Sequence, residues 1–362
     1  MLDAPVAQAS VFDQVAEFQH EQVVYCHDHE TGLKAIIGIH NTVLGPALGG
    51  TRLWHYATEA EALHDVLRLS RGMTYKAAIS GLNLGGGKAV IIGDAKKLKS
   101  EALLRKFGRF VNNLNGKYIT AEDVNMTTKD MEYIRMETKH VAGLPESLGG
   151  SGDPSPVTAY GVYMGMKAAA QKAYGSDSLA GKRVAVQGVG HVGTYLLDYL
   201  QKEGAHIVLT DYYEERAYEA AARFGAVAVG VEEIYDQDVD IYSPCALGAT
   251  VNDQTISRLK CRVIAGSANN QLEDETVHGP ELVRRGIVYA PDFLINAGGL
   301  INVYSEIVGS SRQGALAQTE KIYDYTRQVL DRAEQENTHP QAAAIRQAEE
   351  RIASVGKVKS TY

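Results

Sequence analysis

Three side chains able to hold a carboxylate or move a proton stand in separate glycine-rich or apolar words of the chain. They are Lys76 in Gly72-Met73-Thr74-Tyr75-Lys76, Lys88 after Gly85-Gly86-Gly87, and Asp123 in Thr120-Ala121-Glu122-Asp123-Val124. One cation can anchor a substrate carboxylate, a second amine can do acid–base work, and a carboxylate can pass protons to and from a leaving amine. Taken singly, each is more often ordinary surface charge. The triple glycine predicts a sharp bend that delivers Lys88 to a cleft ahead of the buried run Ala89-Val90-Ile91-Ile92. Partial desolvation there would weaken the ammonium's preference for its charged state. The glycines alone fit equally a solvated turn with an ordinary lysine. A phosphate loop is excluded, because Leu82 and Ala89 occupy the places that need Gly and Ser or Thr.

A second chemical signal lies in the other half. Arg183-Val184-Ala185-Val186-Gln187 reads as a strand, Gly188-Val189-Gly190-His191-Val192-Gly193 is a G-x-G-x-x-G, and Thr194 to Lys202 reads as a helix. Ile207-Val208-Leu209-Thr210 is a further strand, ending in Asp211, an acid about twenty residues on. Strand, glycines, helix and acid in that order predict a dinucleotide site that uses Gly188, Gly190, Val192 and Gly193. Asp211 would accept from the ribose hydroxyls and repel a 2′-phosphate, which favours NAD over NADP.

Composition removes other classes. The formal net charge is −8 with no basic block, which argues against nucleic acid or an anionic membrane as partner. No apolar run reaches the length of a membrane span, and residues 1–18 lack a signal-peptide pattern. Cys26, Cys245 and Cys261 show no CxxC spacing and fit a reducing cytoplasm. Cys26-His27-Asp28-His29 is a polar hairpin tip whose alternation splits the possible ligands between two faces, so no metal is expected.

The elements that must position these residues alternate between strand and helix, which predicts an α/β fold. At 362 residues the chain is long enough for two domains. Gln22 to Val43 reads as two antiparallel strands, and Gly45 to Trp54 as a glycine-rich loop around an apolar Leu48. Thr58 and Glu61 have capping-box spacing for a helix with Ala62, Val66, Leu69 and Met73 inward, ending near Gly72. Thr74-Tyr75-Lys76 then follows as a loop or strand start. Ser100 caps a helix carrying Leu103, Leu104, Phe107 and Val111. Gly149 to Pro154 reads as a hinge, which separates domains at 1–148 and 149–338. Ser155 and Pro156 would cap and start a long helix. The later strands end at Pro244-Cys245-Ala246, Gly266-Ser267-Ala268-Asn269-Asn270 and Pro291-Asp292, and ligands bind beyond such ends. Cys245, with no base nearby in sequence, reads as a core-edge residue beside the cofactor, with Ala246, rather than a nucleophile. Pro340 to Val355 reads as a final helix.

Together these words resemble the glutamate/leucine/phenylalanine/valine dehydrogenases over nearly the whole chain. The resemblance is carried by Gly45-Pro46-Ala47-Leu48-Gly49-Gly50-Thr51-Arg52, Gly72 to Lys76, Gly85 to Lys88, Thr120 to Val124, Pro156-Val157-Thr158-Ala159-Tyr160-Gly161, Ser267-Ala268-Asn269-Asn270-Gln271 and Asn296-Ala297-Gly298-Gly299. It implies an N-terminal α/β substrate and oligomerisation domain, a doubly wound Rossmann-type NAD domain, and a C-terminal helix, residues 339–362, returning to the first domain over a closing cleft. It implies NAD-dependent, reversible oxidative deamination of an L-amino acid. Lys76 would bind the substrate carboxylate, Lys88 would polarise the oxygen at the reacting carbon and activate water, and Asp123 would exchange protons with the amino group. Thr158, Asn269, Asn270 and Asn296 would lie near the nicotinamide. Leu48, Gly49, Ala121, Leu300 and Val303 would line the substrate pocket and place the chain in the aliphatic, leucine-type branch, whose members form octamers. An aromatic substrate and a redox-silent NAD sensor are the rival readings. Asn125 stands where leucine-type relatives more often carry glycine.

Overall fold

The computed structural model describes residues 10–359, which divide into two compact units: residues 10–152 with 352–359, and residues 153–351.

The first unit contains α1 (Val11–Glu17), β1 (Gln22–Asp28), β2 (Leu33–Asn41), β3 (Ala47–Trp54), α2 (Glu59–Ile79), β4 (Gly85–Ile92), α3 (Ala95–Leu98), α4 (Glu101–Asn112), β5 (Tyr118–Glu122) and α5 (Thr128–Arg135). Its sheet runs β1-β2-β4-β3-β5; β1, β2 and β4 pair antiparallel, whereas β4, β3 and β5 run parallel. Leu63, Val66 and Leu67 of α2 pack with Ile36 and Val90 on one face. Leu103, Phe107, Val111, Met131 and Ile134 of α4 and α5 pack with Ile37, Ala89 and Ile91 on the other. At the hairpin tip Cys26 is buried opposite Ala35, Asp28 takes Thr31 and Lys106, and His27 and His29 are exposed.

Several local expectations are corrected here. The Gly45–Trp54 word is not a loop, because residues 47–54 form β3 at the middle of the parallel set. The first long helix does not stop near Gly72. Thr58 caps it as expected, its hydroxyl accepting from Glu61 N at 3.1 Å, but the helix runs on to Ile79 and Lys76 lies in its last turn. An exposed mid-helix glycine costs only about 1 kcal/mol, and burial of Thr74, Ala77, Ala78 and Ile79 outweighs it. The inward face is also rotated from the one expected: Leu69 and Met73 are half-buried, while Leu63, Leu67 and Ser70 are buried.

The triple glycine is likewise strand, not turn. None of Gly85, Gly86 and Gly87 has positive φ. They are needed for space: a Cβ on Gly86 would collide with the backbone N and hydroxyl of Thr74, and one on Gly87 would sit 2.7 Å from the ring of Tyr118. Asn125, by contrast, does occupy the left-handed region (φ 60°), which asparagine tolerates better than most side chains, and its amide donates to Leu53 O at 3.0 Å.

The second unit contains α6 (Ser155–Tyr174), β6 (Arg183–Gln187), α7 (His191–Glu203), β7 (His206–Thr210), α8 (Glu214–Phe224), β8 (Val227–Ala228), β9 (Ile241–Pro244), β10 (Val263–Ile264), α9 (Glu275–Arg284), β11 (Val288–Tyr289), α10 (Asp292–Ile295), α11 (Gly298–Ile307), α12 (Arg312–Glu320) and α13 (Ile322–Gln335). The sheet order is β11-β10-β9-β6-β7-β8, all parallel. Two three-strand halves thus diverge from β6, the doubly wound arrangement of a Rossmann fold. Ser155 is the first helical residue of α6 rather than its cap. The Asp153 carboxylate accepts from Ser155 N at 2.9 Å, and Pro156 sits at the second helical position. The last helix, α14 (Pro340–Lys359), is continuous, and only its residues from Ile352 onward cluster with the first unit.

Candidate active site

Lys88 emerges from the middle of β4, opposite Gly38 of β2, with its side chain 8% exposed. It shares a face with Val90 and therefore points to the α2 side. Asp123 follows the end of β5 and reaches the same place. Lys88 Nζ lies 2.9 Å from Asp123 Oδ2, and the same oxygen accepts from Arg52 Nε at 2.9 Å. Arg52 in turn donates from Nη1 to Asp65 Oδ2 of α2 at 3.0 Å, and that oxygen also takes the Tyr56 hydroxyl at 2.7 Å. Arg68 closes the chain of charges on Asp65 Oδ1 at 3.1 Å.

Burial pushes the Lys88 ammonium below the ordinary lysine range, and Arg52 adds to this, while Asp123 and Asp65 work the other way. For Asp123, burial alone would raise the carboxyl. Lys88 and Arg52 overcome it and hold the group below the usual carboxylate range. Arg52 is desolvated too, yet Asp123 and Asp65 keep it firmly charged. The result is a fixed anion beside an amine that loses its proton more readily than a surface lysine. Such a pair suits proton transfer.

The backbone makes room for this pair. Along β3 and β4 the ladder pairs Leu48 with Gly86 and Thr51 with Ala89, leaving Gly49 and Gly50 outside it. A Cβ on Gly49 would strike the Gly87 carbonyl. Gly49 O instead accepts the Tyr118 hydroxyl at 2.6 Å. Leu48 is 2% exposed, and Ala121, opposite Gly50 on β5, is buried. Lys76 is half-buried, two residues beyond the Thr74 that abuts Gly86. The first unit therefore brings Lys88 and Asp123 into contact and sets Leu48, Gly49 and Ala121 on the strands beside them. Sequence reading missed Arg52, Asp65 and Tyr56 as members of the network. The available signal was Asp65 itself, an acid one turn from Ala62 and Leu69 and adjacent to Val66.

In the second unit, the G-x-G-x-x-G joins β6 to α7. Gly188 has φ 102°, and a Cβ there would come within 2.6 Å of Ala246 Cβ. Gly193 lies against the Gly188 carbonyl, so the first turn of α7 packs on the loop itself. Gly190, the N-cap, faces open space within 4 Å, and Val192 is half-buried. The loop thus offers a helix N-terminus without an obstructing side chain, a cradle that fits a pyrophosphate. Asp211 is buried; Oδ2 accepts from Val189 N at 2.9 Å and Oδ1 from Tyr213 N at 3.0 Å. Each oxygen keeps acceptor capacity for a hydroxyl. Cys245 N donates to Gln187 O at 2.7 Å, and its thiol lies 3.4 Å from the Ser243 hydroxyl.

Asn296, buried after α10, donates to Ser267 O at 3.1 Å and to Asn269 Oδ1 at 2.8 Å, whereas its own Oδ1 has no partner. A buried carbonyl left open in this way fits the amide of a nicotinamide. Asn270 is exposed with φ 51°. Thr158, in the first turn of α6, donates to Pro154 O at 3.0 Å, and a Cβ on Gly299 would stand 3.0 Å from its hydroxyl. Leu300 and Val303 follow on α11, buried and half-buried.

Comparison with known proteins agrees with this arrangement. Residues 20–140 match the "Glu/Leu/Phe/Val dehydrogenase, dimerisation domain", and residues 149–213 and 209–359 match "Glutamate/Leucine/Phenylalanine/Valine dehydrogenase". The chain is 56% identical over 352 residues to leucine dehydrogenase of Thermoactinomyces intermedius, covering 97% of this chain and 96% of that one. It is 49% identical over 350 residues to L-tryptophan dehydrogenase of Nostoc punctiforme, covering 97% and 98%. The crystal structure of L-tryptophan dehydrogenase from Nostoc punctiforme superposes with a TM-score of 0.86 at 45% identity, over 96% of this chain and 99% of that one. A buried, strand-borne lysine on a half-buried aspartate, a Rossmann sheet and matches that span almost all of both chains lead to one assignment: the chain belongs to the glutamate/leucine/phenylalanine/valine dehydrogenase family of amino-acid dehydrogenases.

Proposed function

We propose that the chain catalyses the reversible, NAD-dependent oxidative deamination of a branched-chain aliphatic L-amino acid, leucine foremost, to its 2-oxo acid and ammonia. The observation that carries this is the 2.9 Å contact of the buried Lys88 Nζ with Asp123 Oδ2. When bound, NAD accepts the hydride from the substrate α-carbon. Asp123, held as a carboxylate, takes a proton from the substrate ammonium and returns one to the departing amine. Lys88, in its neutral form, takes a proton from the water that adds to the imine carbon, and its ammonium then hydrogen-bonds the oxygen that forms there. Lys76 binds the substrate carboxylate as a cation.

Leu48, Gly49 and Ala121, with Leu300 and Val303, select the side chain. An apolar Leu48 offers no partner to a distal carboxylate, which disfavours glutamate. One methylene is worth about 1–3 kcal/mol in such a pocket, so valine and isoleucine should also react. Gly188, Gly190, Val192 and Gly193 cradle the pyrophosphate, Asp211 takes the adenosine ribose, and Cys245 and Ala246 back the loop. Thr158, Asn269, Asn270 and Asn296 serve the nicotinamide. The active form is a homo-oligomer assembled through the first unit, an octamer by family resemblance, working in the cytoplasm without metal, nucleic acid or membrane.

The relative acting on tryptophan favours a second reading, an aromatic substrate. The deciding experiment measures NADH formation from leucine, valine, isoleucine, phenylalanine, tryptophan and glutamate at alkaline pH. Highest kcat/KM for leucine supports the proposal. A clear preference for phenylalanine or tryptophan overturns the substrate assignment, and no reduction with any amino acid leaves a redox-silent NAD sensor.

A further inference from the structure

Asp211 does not stand alone at the end of β7. Arg216, in the first turn of α8, carries its guanidinium 4.9 Å from the centre of the Tyr213 ring, and its Nη1 lies 3.7 Å from Asp211 Oδ1. The two partners differ sharply in setting: the Asp211 side chain is 7% exposed and that of Arg216 is 51% exposed. The carboxylate is fixed by two backbone N–H groups, from Val189 and Tyr213, whereas the guanidinium rests on an aromatic face that is itself largely in solvent. Glu214 and Glu215, exposed in the same first turn, add further negative charge.

From this geometry we infer that Arg216 is a second determinant of cofactor choice, a phosphate-recognising cation that Asp211 neutralises. The inference rests on the dinucleotide reading of the Gly188–Gly193 loop given above. A buried, immobilised anion acts through a lower effective dielectric than a half-solvated cation, so Asp211 prevails and a ribose 2′-phosphate is rejected. With the carboxylate removed, Arg216 loses its counter-ion but keeps its stacking on Tyr213. A planar guanidinium held in that way can give a phosphate two parallel N–H donors with little further loss of side-chain freedom. The neighbourhood therefore holds opposite instructions for the adenosine ribose within one ion pair, and the one in force depends on a single carboxylate.

The test measures dissociation constants of NAD+ and NADP+ for the full-length protein by isothermal titration calorimetry, without substrate or turnover. Four proteins are compared: unaltered, Asp211→Ser, Asp211→Ser with Arg216→Ala, and Arg216→Glu. The expected result is that Asp211→Ser improves NADP+ binding relative to NAD+ by about tenfold or more, and that adding Arg216→Ala removes most of that gain. Because Asp211 also braces the loop, the single Arg216→Glu change gives an independent reading. It should worsen the NADP+ to NAD+ affinity ratio by several-fold with Asp211 in place. A double variant that keeps the full gain, or an Arg216→Glu ratio that does not move, overturns the role of Arg216. Failure of the unaltered protein to bind NAD+ at all would instead overturn the dinucleotide reading itself.

Discussion

Gly50 and Asp123 are packed so closely that a Cβ on the glycine would stand 2.9 Å from the aspartate Cβ and collide with the Glu122 carbonyl oxygen. The bare backbone of β3 is therefore what lets the end of β5 fold over and present its carboxylate to Lys88. Gly50→Ala should displace Glu122 and Asp123, lower kcat by tenfold or more, and destabilise the fold by about 1–3 kcal/mol, the usual cost of overpacking. Steady-state kinetics and urea unfolding measure the two effects separately. An unchanged kcat would show that the position of Asp123 is not set by this contact.

Asp123→Asn tests the electrostatic side of the same relationship. Asp123 raises the Lys88 pKa through its charge and its hydrogen bond, against the lowering effect of burial. Without the charge the amine should deprotonate at still lower pH. The rising limb of the kcat/KM profile for deamination, which follows formation of neutral Lys88, should move to lower pH. kcat itself should fall by about 10²–10⁴, the usual contribution of a positioned proton-transfer group. A limb that stays in place would assign that ionisation to another group.

Lys88 and Lys76 should separate in kinetics. Lys88→Ala is expected to abolish turnover while NAD+ affinity, measured by calorimetry, stays within a few-fold. Lys76→Ala is expected to raise KM for the amino acid far more than it lowers kcat. An unaltered KM in that variant would remove Lys76 from the substrate-binding role.

Acid stability should follow two histidines of the first unit, the buried His40 and the half-buried His20. His20 Nε2 lies 2.6 Å from the Ser70 hydroxyl and His40 Nδ1 lies 2.8 Å from the Thr74 hydroxyl, with the two rings 4.9 Å apart. Desolvation pushes His20 down to about 4 and His40 down to about 3, helped in both by the nearby Arg71 charge. In the unfolded chain both bind protons near 6.5, so below that pH the unfolded state takes up protons that the folded state refuses. Stability should be fully present above about pH 6.5 and should be lost as pH falls toward 4 and then 3. Between pH 7 and pH 5 the buried His40 should cost about 2 kcal/mol, and the half-buried His20 less because solvent screens it. Urea midpoints for the unaltered protein and for His40→Asn at pH 7 and pH 5 check this. Equal pH sensitivity in both proteins would point to other groups.

Much of the second unit was legible because its signals are local. Gly188, Gly190, Gly193 and Asp211 sit at spacings that a strand–turn–helix–strand unit imposes, and the apolar runs of its strands match the parallel sheet observed. The first unit was harder to read. Gly85-Gly86-Gly87 looks like a turn when only backbone freedom is considered. Its real cause is the approach of α2 and Tyr118, which are distant in sequence. The same long-range packing carried α2 past Gly72 and put Lys76 in a helix. Arg52 and Asp65 went unassigned because an ion pair between a strand and a helix leaves no periodic trace. Leu103, Leu104, Phe107 and Val111, by contrast, could be placed from spacing alone, since one amphipathic helix contains the whole pattern.

Gly49 and Gly50, which the β3–β4 ladder skips, together with Gly86 and Gly87, have a bearing on how such a protein can change over time. The close approach of β3, β4, β5 and α2 here depends on bare main chain, so no exchange of one side chain for another can restore it once a methyl group intrudes. Leu48, next to Gly49 on β3, and Ala121, opposite Gly50 on β5, carry ordinary side chains instead. In the proposed site, divergence toward new amino acids therefore runs through Leu48 and Ala121, while the glycine frame that sets Asp123 beside Lys88 stays locked.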